Sequence, residues 1–303
     1  MTSETRKPIH RWVLGLSLLA ALAMAGGVAV NGQIQYLSGQ NVAPDYQGWE
    51  QNPDGSYDLV FGYMNRNYEE HLYIPIGPNN NIEPGGPDRG QPTYFAPRRN
   101  RDIVRIRVPA DFGSKELVWT LTAHGKTEKA FGTLKPDYAH DKRVQYLNNS
   151  GISQVGRAEK NEAPVVIIDG SKQRTATVGE PLMLSGTATD DGIPAPRPSP
   201  RGAIGFHSSV GLRAAWHVYR GQGNAVTFEP EQFKVYPDFM TEGGNSPWSP
   251  GWAPPPLPKD NKFPVTVTFS EPGTYVVRLL AHDGGYVTAG DVTVTVSARA
   301  AGR

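Results

Sequence analysis

The chain contains no cysteine. That excludes disulfides, thiolate metal sites, a thiol nucleophile and an acylated N-terminal cysteine, so stability has to come from packing and hydrogen bonds. Excess charge of either sign is missing too, since 30 Lys and Arg stand against 29 Asp and Glu in 303 residues. No net field is available to steer a polyanion, which argues against nucleic acid as a partner. Catalytic signatures are equally absent: there is no H-E-x-x-H, no G-x-S-x-G, no Walker A loop and no glycine-rich dinucleotide fingerprint. The seven histidines, His10, His71, His124, His140, His207, His217 and His282, show no short metal-ligand spacing. These absences point to a protein that is not an enzyme and carries no organic cofactor.

Long apolar runs are confined to one place. After a polar start with Arg6, Lys7 and Arg11, the residues from Trp12 to Val30 carry no charge. This is the pattern of an export signal, and Ala23-Met24-Ala25 before Gly26 supplies a small-x-small cleavage site. An uncut anchor is the competing reading, because the run is close to the roughly 20 residues that span a bilayer. The small residues in its second half favour cleavage. In both cases everything after residue 30 is expected outside the cytoplasm, in a bacterial periplasm, on the cell surface or secreted, and membrane contact is limited to the N-terminal segment if it stays uncut.

What the chain has in plenty is turn formers, 34 Gly and 27 Pro. Such a composition favours many short strands over long helices, and the expected class is all-β. In the first half, Tyr57, Leu59, Phe61 and Tyr63 share a strand face, Val104, Ile106 and Val108 point inward while Arg105 and Arg107 point out, and Leu117, Trp119, Leu121 and Ala123 line up. The last two strands read as a hairpin across residues 110–114. Residues 77–101, with five prolines, read as a long surface loop and a candidate contact surface. Apolar patterning dissolves between Lys135 and Ala163. No repeat of 20 to 50 residues appears, which disfavours a solenoid or propeller. The resulting division is a signal segment at 1–30, a β-sandwich at 31–136, a linker at 137–162, a second β-sandwich at 163–298 and a tail at 299–303.

The second sandwich carries a resemblance. The segments "APVVIIDG", "VGEPLMLSGTATDDGIP", "LRAAWHVYRGQG", "VTVTFSEPGTYVVRLLAHDGG" and "GDVTVTVSA" occur in an order that resembles polycystic kidney disease (PKD) domains and related Ig-like repeats. Gly273-Thr274-Tyr275 opening a strand, then an Asp283-Gly284 turn and a valine-rich last strand, is the most specific part. Tyr275, Val277, Leu279 and Ala281 share a face, as do Val292, Val294 and Val296, and Trp216 is placed to fill the core. The sequence departs from the family where His217 follows that tryptophan and Gln222 lies between two glycines. The resemblance implies an extracytoplasmic module for contact, spacing or adhesion.

Two candidate sites follow. The turns "TDDG" and "HDGG" fall at one end of an Ig-like sandwich, where Asp190, Asp191 and Asp283 could give oxygen ligands to Ca²⁺. The plain alternative is that Asp-Gly simply makes tight turns. The proline-rich insert at 236–261 returns to the same end. There Trp248 and Trp252, with Tyr286 in the neighbouring turn, could stack on a glycan or cell-wall polymer or anchor an envelope protein, unless the rings fold back onto the sandwich. Arg98, Arg99 and Arg101 read as a solvated basic patch. The functional expectation is an exported binding, adhesion or structural protein. An extracytoplasmic hydrolase with its site between the two sandwiches is the alternative.

Overall fold

The computed structural model describes residues 36–150, 160–195, 211–232 and 257–299. The leader, Trp248 and Trp252 lie outside these residues. In the first half the strands are β1 (Val42–Gln51), β2 (Tyr57–Asn65), β3 (Leu72–Tyr73), β4 (Asn80–Glu83), β5 (Tyr94–Phe95), β6 (Arg98–Val108), β7 (Leu117–Ala123) and β8 (Lys126–Gly132). Sheets β1-β2-β6 and β4-β7-β8 share one core, and the short pair β3-β5 brackets β4 in sequence. The alternation seen in the sequence sets these faces. Val104, Ile106 and Val108 are buried while Arg105 and Arg107 are exposed, and Leu117, Trp119, Leu121 and Ala123 all point into the same core.

The β6–β7 connection is not a hairpin. β6 pairs with β2, and β7 pairs with β4 and β8, so residues 109–116 carry the chain from one sheet to the other. Buried Phe112 fills that corner. Parity alone could not tell the two arrangements apart, because strands in facing sheets bury the same alternate residues as paired strands do.

Residues 77–101 also differ from a surface loop. They hold β4, β5 and the start of β6, and they bury Ile82, Phe95, Asn80 and Gln91. Asn80 explains how proline-rich backbone can be buried: its Nδ2 donates to the carbonyls of Ile74 (2.9 Å) and Pro92 (2.8 Å), and its Oδ1 accepts from Trp119 Nε1 (3.0 Å). One side chain thus satisfies three polar groups that would otherwise be stranded.

The second half continues with β9 (Val165–Ile168), β10 (Gln173–Thr177), β11 (Leu182–Leu184), β12 (Gly186–Thr189), β13 (Arg213–Arg220), β14 (Val226–Glu229), β15 (Val265–Phe269), β16 (Gly273–His282) and β17 (Val287–Ser297). One sheet has the order β10-β17-β16-β13. Opposite it lie a two-stranded sheet, β9 with β12, and a three-stranded one, β11-β15-β14, with an isolated bridge from Thr187 to Lys262 beside them. β9 pairs antiparallel with β12, whereas β10 runs parallel to β17, so the first stretch of chain serves both sheets. That split first strand, with antiparallel β13-β16-β17, is an Ig-like strand order. Trp216 is fully buried at its centre and donates its indole N–H to the Phe263 carbonyl (2.8 Å). Tyr275, Val277, Leu279, Val292, Val294 and Val296 fill the same core.

The two sandwiches are fused. On the outer face of the β13-β16-β17 sheet, Tyr219 and Leu280 belong to the first half's core, with Val276 and Val287 packed against it. Tyr219 donates its hydroxyl to the Gly90 carbonyl (2.7 Å). Arg278 donates to the Ile103 carbonyl (3.0 Å), sits 3.4 Å from the Tyr219 ring centroid and pairs with Asp291 (2.7 Å). Arg220 reaches the Gln91 carbonyl (2.8 Å) and Asp88 (2.7 Å). Residues from Tyr36 onward accordingly form one compact unit. The stretch read as a linker contains a helix, Lys142–Ser150, whose first turn is capped by Asp141 accepting from the Val144 N–H (2.8 Å).

Candidate functional site

The F–G turn, residues 283–286 between β16 and β17, is the best-organised polar site in the second half. Asp283 is fully buried, and its Oδ1 accepts from the N–H groups of Gly285 (2.5 Å) and Tyr286 (2.6 Å). Its Oδ2 accepts from Asn161 Nδ2 (3.0 Å), and its carbonyl accepts from the Gly211 N–H (2.6 Å). Burial pushes the Asp283 carboxyl up to about 6 against the pull of these hydrogen bonds, and the like charge of Asp190 adds to the rise. Asp190 is itself pushed upward, chiefly by desolvation.

Asp190 and Asp191 shape the neighbouring turn. Asp190 Oδ2 accepts from the Gly192 N–H (2.9 Å). Asp191 accepts from Ile193 N–H (2.7 Å) and, through Oδ2, from Glu162 N–H (3.0 Å). The segment Asn161–Glu162 therefore bonds both turns, which places them at one pole as the Ig-like order requires. Asp191 is spent on backbone. Among the described residues, no three His, Asp or Glu side chains gather closely enough to hold a metal by themselves. What the pole does offer is two carboxylates and an amide. Asp190 Oδ1 and Asn161 Oδ1 are both buried and lack a hydrogen-bond partner among the described residues. Buried oxygens without donors fit a cation that prefers oxygen ligands. Asn161 escaped the sequence reading because nothing local marks an asparagine in a polar segment as buried.

Tyr286 is 2 % exposed, packs its ring 5.7 Å from that of Tyr146 in an edge-on arrangement and donates its hydroxyl to the Lys142 carbonyl (3.3 Å). Its face is occupied from within the chain and is not open to stack on a ligand. Behind the turn, buried His282 accepts from Gly284 N–H (2.7 Å) and lies 3.1 Å from Arg213. Desolvation, with Arg213 and Arg101 nearby, holds that histidine well below its ordinary range.

The C-terminal ends of the 190–212 loop and the 236–261 insert are fixed here: the Gly211 N–H donates to the Asp283 carbonyl (2.6 Å), and the Asn261 carbonyl accepts from the Ala188 N–H (3.1 Å). The basic patch is used internally instead. Arg98 is buried with its guanidinium 4.0 Å from the Tyr68 ring centroid, and Arg99 pairs with Asp45 (3.3 Å).

No protein-family model matches the chain, and no curated protein is similar to it. Solved structures give weak likenesses. A crystal structure of a titin M10–obscurin-like 1 Ig complex is 11 % identical, with 46 % of this chain and 99 % of that chain covered and a TM-score of 0.24. The solution structure of the PKD domain from human KIAA0319 is 14 % identical over 47 % of this chain and 88 % of that one, at 0.24. Domains 4 and 5 of the S-layer protein SbsC are 8 % identical over 60 % and 65 %, at 0.23. Strand order, and not these likenesses, defines the class: an all-β protein of two sandwiches, the second Ig-like. Among the described residues no helix is long and apolar enough to cross a membrane.

Proposed function

We propose that the chain is an exported, non-enzymatic binding or structural protein of a bacterial envelope. Its proline-rich insert at 236–261, with Trp248 and Trp252 as the aromatic contacts, and the 190–212 loop beside it meet a glycan, a cell-wall polymer or an envelope protein. The observation that carries this reading is the anchoring of the C-terminal ends of both segments, Gly211 and Asn261, beside the two Asp turns. Loops fixed on a rigid sheet scaffold are the usual place for recognition. A Ca²⁺ ion held by Asp190, Asp283 and Asn161 would stiffen that pole and neutralise its buried carboxylates. Asp191 stays in the proposal only through the turn it shapes.

The seam between the halves is filled by Tyr219, Arg278 and Leu280, which weighs against the alternative of a hydrolase site there. The test is a pull-down from envelope extracts beside a glycan panel, with the wild-type chain and a Trp248→Ala, Trp252→Ala variant. Loss of the captured ligand in the variant is expected. Retention of every interaction, or turnover of a polymer by the purified chain, would overturn the reading.

A further inference from the structure

Four pieces of chain meet at the F–G turn, and one of them has no counterpart in a lone sandwich. The helix Lys142–Ser150 lays Tyr146, fully buried, against Tyr286 and against the bare backbone of Gly285. A Cβ on Gly285 would overlap the Tyr146 ring and lie 3.0 Å from Asn161 Nδ2, so the glycine is needed for both contacts. Asn161 follows the helix in the chain and bonds the Asp283 carboxylate, while Glu162 bonds Asp191. The helix, the amide with its orphaned oxygen and the Asp283 carboxylate therefore meet at one turn, and Asp190 in the neighbouring turn is close enough for its charge to act on Asp283.

We propose that this helix is a cation-locked clasp: a divalent cation at Asp190, Asp283 and Asn161 and the seating of Tyr146 on the F–G turn stabilise each other. The inference rests on the calcium reading above. The cation needs Asn161 and Asp283 in their present places, and the same turn geometry is what Tyr146 packs against. A cation that binds only the seated form must strengthen seating by the factor by which seating strengthens binding. Tyr146 packs its ring on Tyr286 and Gly285. It is a positioning residue, and it joins the region between the sandwiches to the pole that anchors the inserts.

The experiment uses the full chain with Ca²⁺ as the probe. Calorimetric titration gives the affinity of the wild type, Tyr146→Leu, Tyr146→Phe and Asp283→Asn, and hydrogen exchange of the helix amides is read with and without Ca²⁺. Expected are binding by the wild type, loss in Asp283→Asn, an affinity weakened at least about fivefold in Tyr146→Leu and restored in Tyr146→Phe, and helix exchange slowed by a similar factor in the wild type. Wild-type chain that binds no Ca²⁺ removes the calcium reading and the clasp with it. Ca²⁺ binding that leaves helix exchange unchanged overturns the clasp alone. The exchange measurement needs no variant, so a misfolded Tyr146→Leu does not decide the matter.

Discussion

Asn80 and Gly285 show how much single side chains matter where backbone is buried. Truncating Asn80 to alanine strands the Trp119 indole N–H and leaves two carbonyls undonated, which should cost about 3 kcal/mol. A denaturant midpoint equal to that of the wild type would show the amide to be dispensable. Gly285→Ala should lower the melting temperature by an overpacking penalty of about 1–3 kcal/mol, relieved in part when Tyr146 is also made alanine. Thermal melts of the single and double variants measure it, and additive losses would mean that the two residues do not collide. At this scale the apolar part was legible. Trp119, Trp216, Tyr275 and Val294 could be placed inside because burial in a strand is a local, period-two property. Asn80 and Asn161 could not, since their value depends on which distant carbonyls or carboxylates come within 3 Å.

Strands were legible as elements, but their partners were not. β6 and β7 alternate as expected yet sit in opposite sheets, and residues 77–101 hold strands despite five prolines. The Ig-like half was easier to read because its turn and core positions come in a recognisable order, including Trp216 on β13 and the turn after β16. What could not be read was that the β13-β16-β17 sheet buries both faces. Tyr219 and Leu280 look like outward residues of an ordinary sandwich until the first half arrives to cover them. Tyr219→Ala should therefore destabilise the whole chain by about 3–5 kcal/mol, as loss of a large core residue does. Calorimetry should still show one transition. Two separated transitions in the wild type would contradict a shared seam.

For the molecule as a whole, acid is the expected weak point. Burial holds His71 down to about 4 and His217 to about 3, with Arg278 adding to the effect at His217. Both folded values lie below the ordinary 6.5, so the unfolded chain takes up protons first as the pH drops. The stability from keeping these rings neutral is complete above about pH 6.5 and is lost below it, down to about pH 4 for His71 and about pH 3 for His217, at about 1.4 kcal/mol per pH unit for each histidine, while Asp283, raised to about 6, takes up a proton first in the folded chain and offsets part of the loss. Urea titrations at pH 7.5 and 5 should show the loss, and His217→Gln should reduce it. A profile that His217→Gln leaves unchanged over that window would mean that the ring protonates without penalty in the folded chain.

The seam also bears on how such a chain can arise and change. A fragment starting at residue 163 would carry Tyr219, Val276, Leu280 and Val287 on a naked sheet face, and a fragment ending before it would lack the lid over its own core. Neither half is a portable cassette. Gene rearrangements that shuffle ordinary Ig-like modules one at a time would have to move this pair together, or supply a replacement surface in the same step.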